Sequence, residues 1–363
     1  MNSKKFTLII TTILFIFVST NALIWNLSTK HILTRENQNI VSGDLARMGY
    51  LYKFAHFRKN DTNLTKVHFE ASNYKMSPID MITIGDSFSQ GVMGGPNRYY
   101  QDFIATKLNL NILNILNYKQ HSKIETLAIL ANSGFFKKIG VKYVLVEITQ
   151  RGSVKELTGN INYKADESIP NIEKFYKFGN NDTNNEYMQL PKTSFINNGN
   201  FKYLLFNILY HFSDHAIFSK VYMTSMIEDF FSVGPDNKLL FYNNDLKSIR
   251  KNNQSNLSQI NKNLNKLQKI LKKQNIKLIY MPVVTKYDLY SKFIKDNPYP
   301  KDLSFEIYNK LKKDYIFIDT KKILLKKLDK HKQDIFYVDD THWTYKASDA
   351  ISDEIKSLLQ PDV

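Results

Sequence analysis

The sequence predicts an α/β fold: a three-layer sandwich with a central, mainly parallel sheet, behind one N-terminal apolar helix and with an insertion in its middle. Three observations carry this. Short apolar runs alternate with amphipathic stretches, as strands and crossover helices do in a parallel sheet. The run Met81–Ile84 stops at Gly85-Asp86-Ser87, a tight turn at the carboxyl end of a strand. Phe6–Trp25 carries no charge and is long enough to cross a bilayer as a helix.

In chain order, Lys4 and Lys5 precede the apolar stretch and suit an N-terminus that stays inside. Two export readings are open for residues 1–29, with a buried core helix as the alternative to both: an uncleaved anchor, or a signal peptide with a processing site at Thr20-Asn21-Ala22. The anchor is favoured because the apolar run continues through Leu23, Ile24 and Trp25. Both readings put the remaining chain outside the cytoplasm. Residues 30–77 are polar and mixed. They read as a stalk and lead-in segment, with Ser42-Gly43-Asp44 as a cap before a short helix through Leu51.

Residues 78–363 read as the main domain. Strands are expected at Asp80–Ile84, Leu110–Leu116, Val141–Ile148, Lys277–Val284 and Tyr315–Ile318. Helices are expected at Asn97–Leu108, Ile124–Ile139, Leu246–Gln274, Ser304–Lys313 and Tyr345–Leu359. Between about 151 and 245 the rhythm breaks. Tyr163–Asn200 is rich in Asn, Asp and Lys, and Phe201–Phe231 is aromatic and helical in parts. This region reads as an insertion that caps the site.

The 363 residues, 43% of them hydrophobic, with 24 Phe and 22 Tyr, argue for a packed core and against disorder. The net charge of +16 does not by itself point to nucleic acid. Much of the excess is Lys on expected helix faces, such as Lys262, Lys266, Lys269, Lys272 and Lys273, where solvation explains it. It would also favour an acidic polymer or membrane surface. With no cysteine, disulfides and thiolate metal sites are excluded. No metal and no cofactor is expected, and no Gly-rich nucleotide loop is present.

The chemistry is expected at Ser87. Serine is a weak nucleophile and needs a base, oriented in turn by a carboxylate. About 250 residues later, Asp339-Asp340-Thr341-His342-Trp343 supplies His342 as the base and Asp340 or Asp339 as its orienter.

Gly85-Asp86-Ser87 followed by a late Asp-x-x-His resembles the SGNH/GDSL hydrolase superfamily, whose fold is flavodoxin-like. Asp340-Thr341-His342-Trp343, Val146-Glu147-Ile148 with Arg151, and Met281-Pro282-Val283 with Lys286-Tyr287 resemble one branch, the proteins related to alginate O-acetyltransferases. The resemblance covers residues 78–150 and 275–358. It implies that Ser87 is the nucleophile and His342 the base. Superfamily spacing selects Asp339, whereas the four-residue motif of the branch selects Asp340, which is preferred. The usual oxyanion blocks are absent. Val146–Arg151 replaces the Gly-x-Asn-Asp block, and no glycine occurs at Asn117–Gln120. Asn117 is the candidate substitute donor. Arg151, Lys286 and Tyr287 are candidates for substrate or site support, and for Arg151 an ion pair with Glu147 or another acid is the alternative.

The resemblance further implies acyl transfer, most simply of acetyl, to an exported polysaccharide, with a membrane-bound O-acyltransferase as donor. The place would be the outer face of a bacterial inner membrane, with the domain in the periplasm. A carbohydrate O-acetyl esterase and a non-catalytic glycan-binding or assembly component are the alternatives.

Overall fold

The computed structural model describes residues 2–34, 43–56, 58, 62–74, 78–92, 95, 97–178 and 193–360; Ser42 and part of the expected insertion lie outside them. Six strands form one sheet: β1 (Phe69–Glu70), β2 (Met81–Ile84), β3 (Ile112–Ile115), β4 (Tyr143–Thr149), β7 (Lys277–Val283) and β8 (Ile316–Phe317), in the order β1-β3-β2-β4-β7-β8. Every pairing in it is parallel. β2 lies between β3 and β4, with Met81 opposite Tyr143 and Ile84 opposite Val146.

Strand parity sorts the core into two layers. Met81, Leu145, Ile279 and Met281 face one side, where they pack with Tyr100, Ile104, Ala347 and Ile351 from the helices Tyr100–Leu108 and Tyr345–Leu359. Ile82, Ile84, Val144, Val146 and Leu278 face the other, against Leu127, Leu257 and Leu264 from Lys123–Asn132 and Gln254–Lys272. Both faces of these strands are buried, so they read as continuous apolar runs. The chain is therefore a three-layer α/β structure. From β2 it moves outward to β3, then returns past β2 to β4. The carboxyl end of β2 is thus the point where strand order reverses, and open α/β sheets bind ligands at such points.

Several elements differ from the sequence reading. The helix expected at 124–139 is two helices, Lys123–Asn132 and Phe135–Ile139, separated at Gly134 with φ +76°. The helix expected at 246–274 is also two, Asn243–Ile249 and Gln254–Lys272. There the Asn253 side chain accepts from the Asn256 N–H and starts a new helix, an N-cap no periodicity count detects. The five lysines of its polar face are exposed. Within the region read as an insertion, β5 (Val221–Ser225) and β6 (Lys238–Tyr242) form an antiparallel hairpin.

The largest correction concerns residues 43–74, read as a stalk. Leu45, Ala46, Leu51 and Phe54 are buried in the same core layer as Met81. Phe69–Glu70 adds the edge strand β1 through parallel pairing with β3. The polar composition hid a packed segment because a few apolar residues carry the packing, while Arg58 and His68 are buried with them.

Candidate active site

The site is assembled from three stretches: the turn after β2, the loop 334–344 before the last helix, and the segment from Gly43 to Arg58.

The turn depends on Gly85 and Glu147. A Cβ on Gly85 would lie 2.0 Å from Ser89 Oγ and 2.3 Å from Glu147 Oε2, so only glycine lets the chain bend here. Glu147, fully buried on β4, accepts from the Asp86 N–H (3.1 Å), the Ser89 N–H (3.1 Å) and the Ser89 hydroxyl (2.8 Å). Burial, then the nearby Asp86 carboxylate, pushes the Glu147 carboxyl well above its usual range. Asp86 in turn accepts from the Phe88 and Thr149 N–H groups at 3.2 and 2.8 Å. The turn is thereby pinned on both sides of Ser87. The Ser87 N–H itself has no partner among the described residues.

Ser87 Oγ lies 2.8 Å from His342 Nε2. The other ring nitrogen, Nδ1, is 2.7 Å from Asp340 Oδ1, and the His342 N–H donates to the same oxygen at 2.9 Å. Phe88 packs on the imidazole with centroids 4.7 Å apart, and Trp343 packs on Phe88 at 4.8 Å. Ring position and tilt are therefore both constrained. Burial opposes charge on His342, but Asp340 overrides this and raises its pKa. Burial likewise opposes the Asp340 carboxylate, yet His342 and Arg58 hold it well below the usual range.

The two aspartates of the motif divide their work. Asp339 does not touch the imidazole. Its Oδ1 accepts from Arg58 Nη1 at 2.6 Å and its Oδ2 from the Gly43 N–H at 2.7 Å. Arg58 Nη2 reaches Asp340 Oδ2 at 3.1 Å, and its guanidinium lies 3.9 Å over the Tyr337 ring. The Asp339 carbonyl accepts from the Leu45 and Ala46 N–H groups, both at 3.1 Å. Gly43 is needed for this approach, since its Cβ would meet that carbonyl oxygen at 2.0 Å. Asp44 takes both the N–H and the hydroxyl of Thr341, at 2.8 and 2.6 Å. Burial, then Asp340, raises the Asp44 pKa to about 6.

The other expected site residues make no hydrogen bond to Ser87 or to the His342 ring, although Arg151 is close enough to act on the His342 charge. Lys286 is fully buried, and its Nζ donates to the carbonyls of Tyr337 (2.7 Å), Val338 (2.9 Å) and Asp340 (3.2 Å). It braces the histidine loop from within the core and is closed to solvent. Burial pulls its ammonium down to about 7, whereas three carbonyl acceptors call for three N–H donors, which only the charged form has. Tyr287 is buried, with its hydroxyl on the Pro300 carbonyl at 2.9 Å; it is core. Arg151 pairs with Asp245 at 3.1 Å, not with Glu147. Asn117 is half-buried just past β3, and its amide makes no hydrogen bond among the described residues. Arg58 and the site roles of Asp44 and Glu147 went unread. Asp44 and Arg58 sit in a polar run where nothing in the spacing marks them.

Beside the site, Asp44 and Arg151 line a cavity of about 570 Å³ with Arg47, Lys202, Lys220 and Tyr242. A cavity of about 400 Å³ on the far side of the loop, lined by His56, Tyr337 and Tyr345 among others, contains none of Ser87, Asp340 and His342. Asp44, Asp340 and His342 present ligand atoms within 4.8 Å of one another, but all three are committed to the hydrogen bonds above.

Residues 233–362 match the family model of the SGNH hydrolase-like domain of the acetyltransferase AlgX. The match bears out the resemblance read from the motifs over residues 275–358. The matched stretch contains Asp339, Asp340 and His342, while Ser87 lies outside it. The crystal structure of the lipase Lip_vut3 from a goat rumen metagenome is a distant likeness, with TM-score 0.34 and 12% identity over 77% of this chain and 96% of that one. No curated protein sequence matches the chain. The SGNH hydrolase-like match supports a hydrolase or acyltransferase class of activity.

Proposed function

We propose that the protein transfers a small acyl group, most simply acetyl, through Ser87 to a hydroxyl of an exported polysaccharide. The observation that carries this is the unbroken chain from Ser87 Oγ through His342 to Asp340, at 2.8 and 2.7 Å. Ser87 Oγ attacks the carbonyl carbon of the acyl donor as His342 Nε2 takes its proton. Asp340 stabilises the imidazolium so formed. The Ser87 N–H is one donor to the developing oxyanion, with the Asn117 amide as candidate second. Collapse expels the donor's oxygen, which takes the proton from His342, and leaves acyl-Ser87. An acceptor hydroxyl then gives its proton to His342 and attacks the ester, and Ser87 recovers its hydrogen.

The acceptor reading draws on two features. The matched family is named for an acetyltransferase, and the cavity beside Asp44 carries Arg47, Arg151, Lys202 and Lys220. Those cations suit a glycan bearing carboxylates, and such binding weakens as salt rises. The helical stretch Ser3–Leu33 is long and apolar enough to cross a membrane. Read as a single-pass inner-membrane anchor, it keeps the domain on the periplasmic side, within reach of a membrane-bound O-acyltransferase as donor. Water in place of the glycan makes the same site an esterase.

The test is turnover of a chromogenic acetyl ester by the full-length protein in detergent, with and without acidic oligosaccharides. Acetylated oligosaccharide by mass spectrometry, lost in Ser87→Ala, is the expected result. Ester cleavage with no acceptor product would select the esterase, and full activity of Ser87→Ala would overturn the site.

A further inference from the structure

The helix Asn198–Leu209 is apolar on two opposite sides. Phe206 is buried against the core and meets Tyr50 with centroids 5.8 Å apart. On the outer side Phe201 is 68% exposed, and Leu204 and Ile208 continue the same face at helical spacing. Beyond the helix, Phe212 is 84% exposed, and Phe218, at the edge of the cavity that Lys202 and Lys220 line, is 82% exposed. A helix with apolar residues on two opposite sides needs cover on both. An exposed patch of this kind marks a surface made for something other than water.

The position of this helix says what covers it. Asn200, itself buried, donates from Nδ2 to Asn21 Oδ1 at 2.9 Å and to the Phe195 carbonyl at 2.7 Å, and accepts from the Thr29 hydroxyl at 2.5 Å. These bonds tie the start of the helix to the end of the N-terminal span. Between the two runs a groove of about 730 Å³, lined by Ile13, Ile16 and Phe17 on one side and Ile196, Phe201 and Leu204 on the other. At about 1.5 Å per residue, Ile13 lies roughly 16 Å along the helix from Ile24, near the middle of a span. Whatever flanks Ile13–Ile24 is at bilayer depth.

We propose that the outer face of Asn198–Leu209, with Phe212 and Phe218, seats in the outer leaflet of the bilayer, and that lipid acyl chains fill the groove beside the span. The polar atoms of Asn21, Thr29 and Asn200 satisfy one another, so the face left for lipid is apolar. Lys202 and Lys220 line the adjoining cavity, at the level of the headgroups. The domain is thus held to the membrane by two elements, and the mouth of the cationic cavity opens at the lipid surface. This rests on the anchor reading above.

The chain has no cysteine, so single-cysteine labelling is clean. Full-length Leu14→Cys, Phe201→Cys, Phe212→Cys and Lys262→Cys variants would carry a fluorophore in liposomes of phosphatidylcholine and phosphatidylglycerol alone. Their quenching would be compared for nitroxide lipids spin-labelled at shallow and deep positions. The expected result is deep quenching at 14, and shallow quenching at 201 and 212 several-fold above that at 262. Labels at 201 and 212 that behave like 262, with 14 quenched, would overturn the proposal and leave the anchor standing. No quenching at 14 would remove the anchor and the proposal together. Labels at 201 and 212 unquenched in pure lipid, yet shielded from aqueous thiol reagents in native membranes, would assign the face to a membrane-protein partner instead.

Discussion

Two buried histidines in this molecule share one lock and differ in a single partner. At His342 the backbone N–H and Nδ1 both donate to Asp340 Oδ1, at 2.9 and 2.7 Å. At His68 the backbone N–H and Nδ1 both meet Asp102 Oδ1, at 2.8 and 2.6 Å. An aromatic ring packs on each, Phe88 at 4.7 Å and Tyr99 at 4.6 Å. At Nε2 they part: His342 faces the Ser87 hydroxyl and His68 faces Glu70 at 2.9 Å. A hydroxyl can donate, so His342 can be neutral there and take a proton. A carboxylate can only accept, so His68 must carry N–H on both nitrogens. Burial disfavours that charge, but the bonds to Asp102 and Glu70 raise the His68 pKa to about 9. The same carboxylate clamp thus makes a candidate base in one place and, in the other, a cation at neutral pH.

Removing the proposed nucleophile or base should give the largest effect. Ser87→Ala and His342→Ala should each lower kcat on an acetyl ester by about a thousandfold or more, and the double variant should be little worse, because groups acting as a unit are not additive. Asp340→Asn should cost on the order of a hundred- to ten-thousandfold in kcat, since it frees the tautomer. Asp339→Asn should instead strike stability, because it leaves the buried Arg58 half-paired; loss of one partner of a buried ion pair costs about 3–5 kcal/mol. Denaturant melts and kcat measured on both variants would separate the roles, and equal kcat losses would erase the distinction.

Titration separates the two histidines further. The folded pKa of His68 is raised from 6.5 to about 9. Its contribution to stability is therefore complete below about pH 6.5 and is lost as pH rises through 9. At about 1.4 kcal/mol per pH unit this is on the order of 3 kcal/mol. Glu70→Gln should flatten that decline in melts recorded from pH 6 to 10. In the proposed mechanism the neutral form of His342 is the active one, and its pKa is raised, so activity should climb with pH through a limb displaced above the ordinary histidine range. Asp340→Asn should move the limb to lower pH. The smallest effect is expected at Phe88→Leu, a several-fold drop in kcat with the limb unmoved.

The sheet was legible because strands buried on both faces leave apolar runs, and Val141–Ile148 and Lys277–Val284 land within two residues of β4 and β7. Ser87 and His342 were legible because their motifs are local. Asp340 and Asp339 could not be told apart by spacing. The deciding atoms belong to Arg58 and Gly43, nearly 300 residues earlier, and contacts at that separation leave no periodic trace. Lys286 and Tyr287 misled for the opposite reason: they sit in a recognisable stretch, but their side chains turn inward to brace the loop and fill the core. The hairpin Val221–Tyr242 was missed because its strands are short and lie in an aromatic region without clear alternation.

The clamp of Gly43 and the Leu45 and Ala46 N–H groups on Asp339 also sets a leash. Thr34 ends the N-terminal helical stretch, and Gly43 is already fastened to the loop that holds His342. Nine peptide steps extend at most about 30 Å. With Ser3–Leu33 as the anchor, Gly43 can stand no farther than that from the end of the stretch without tearing its own loop apart. Under the proposed function, such a site would act where the polymer passes close to the lipid, as it leaves the membrane, and not on strands that have already drifted away.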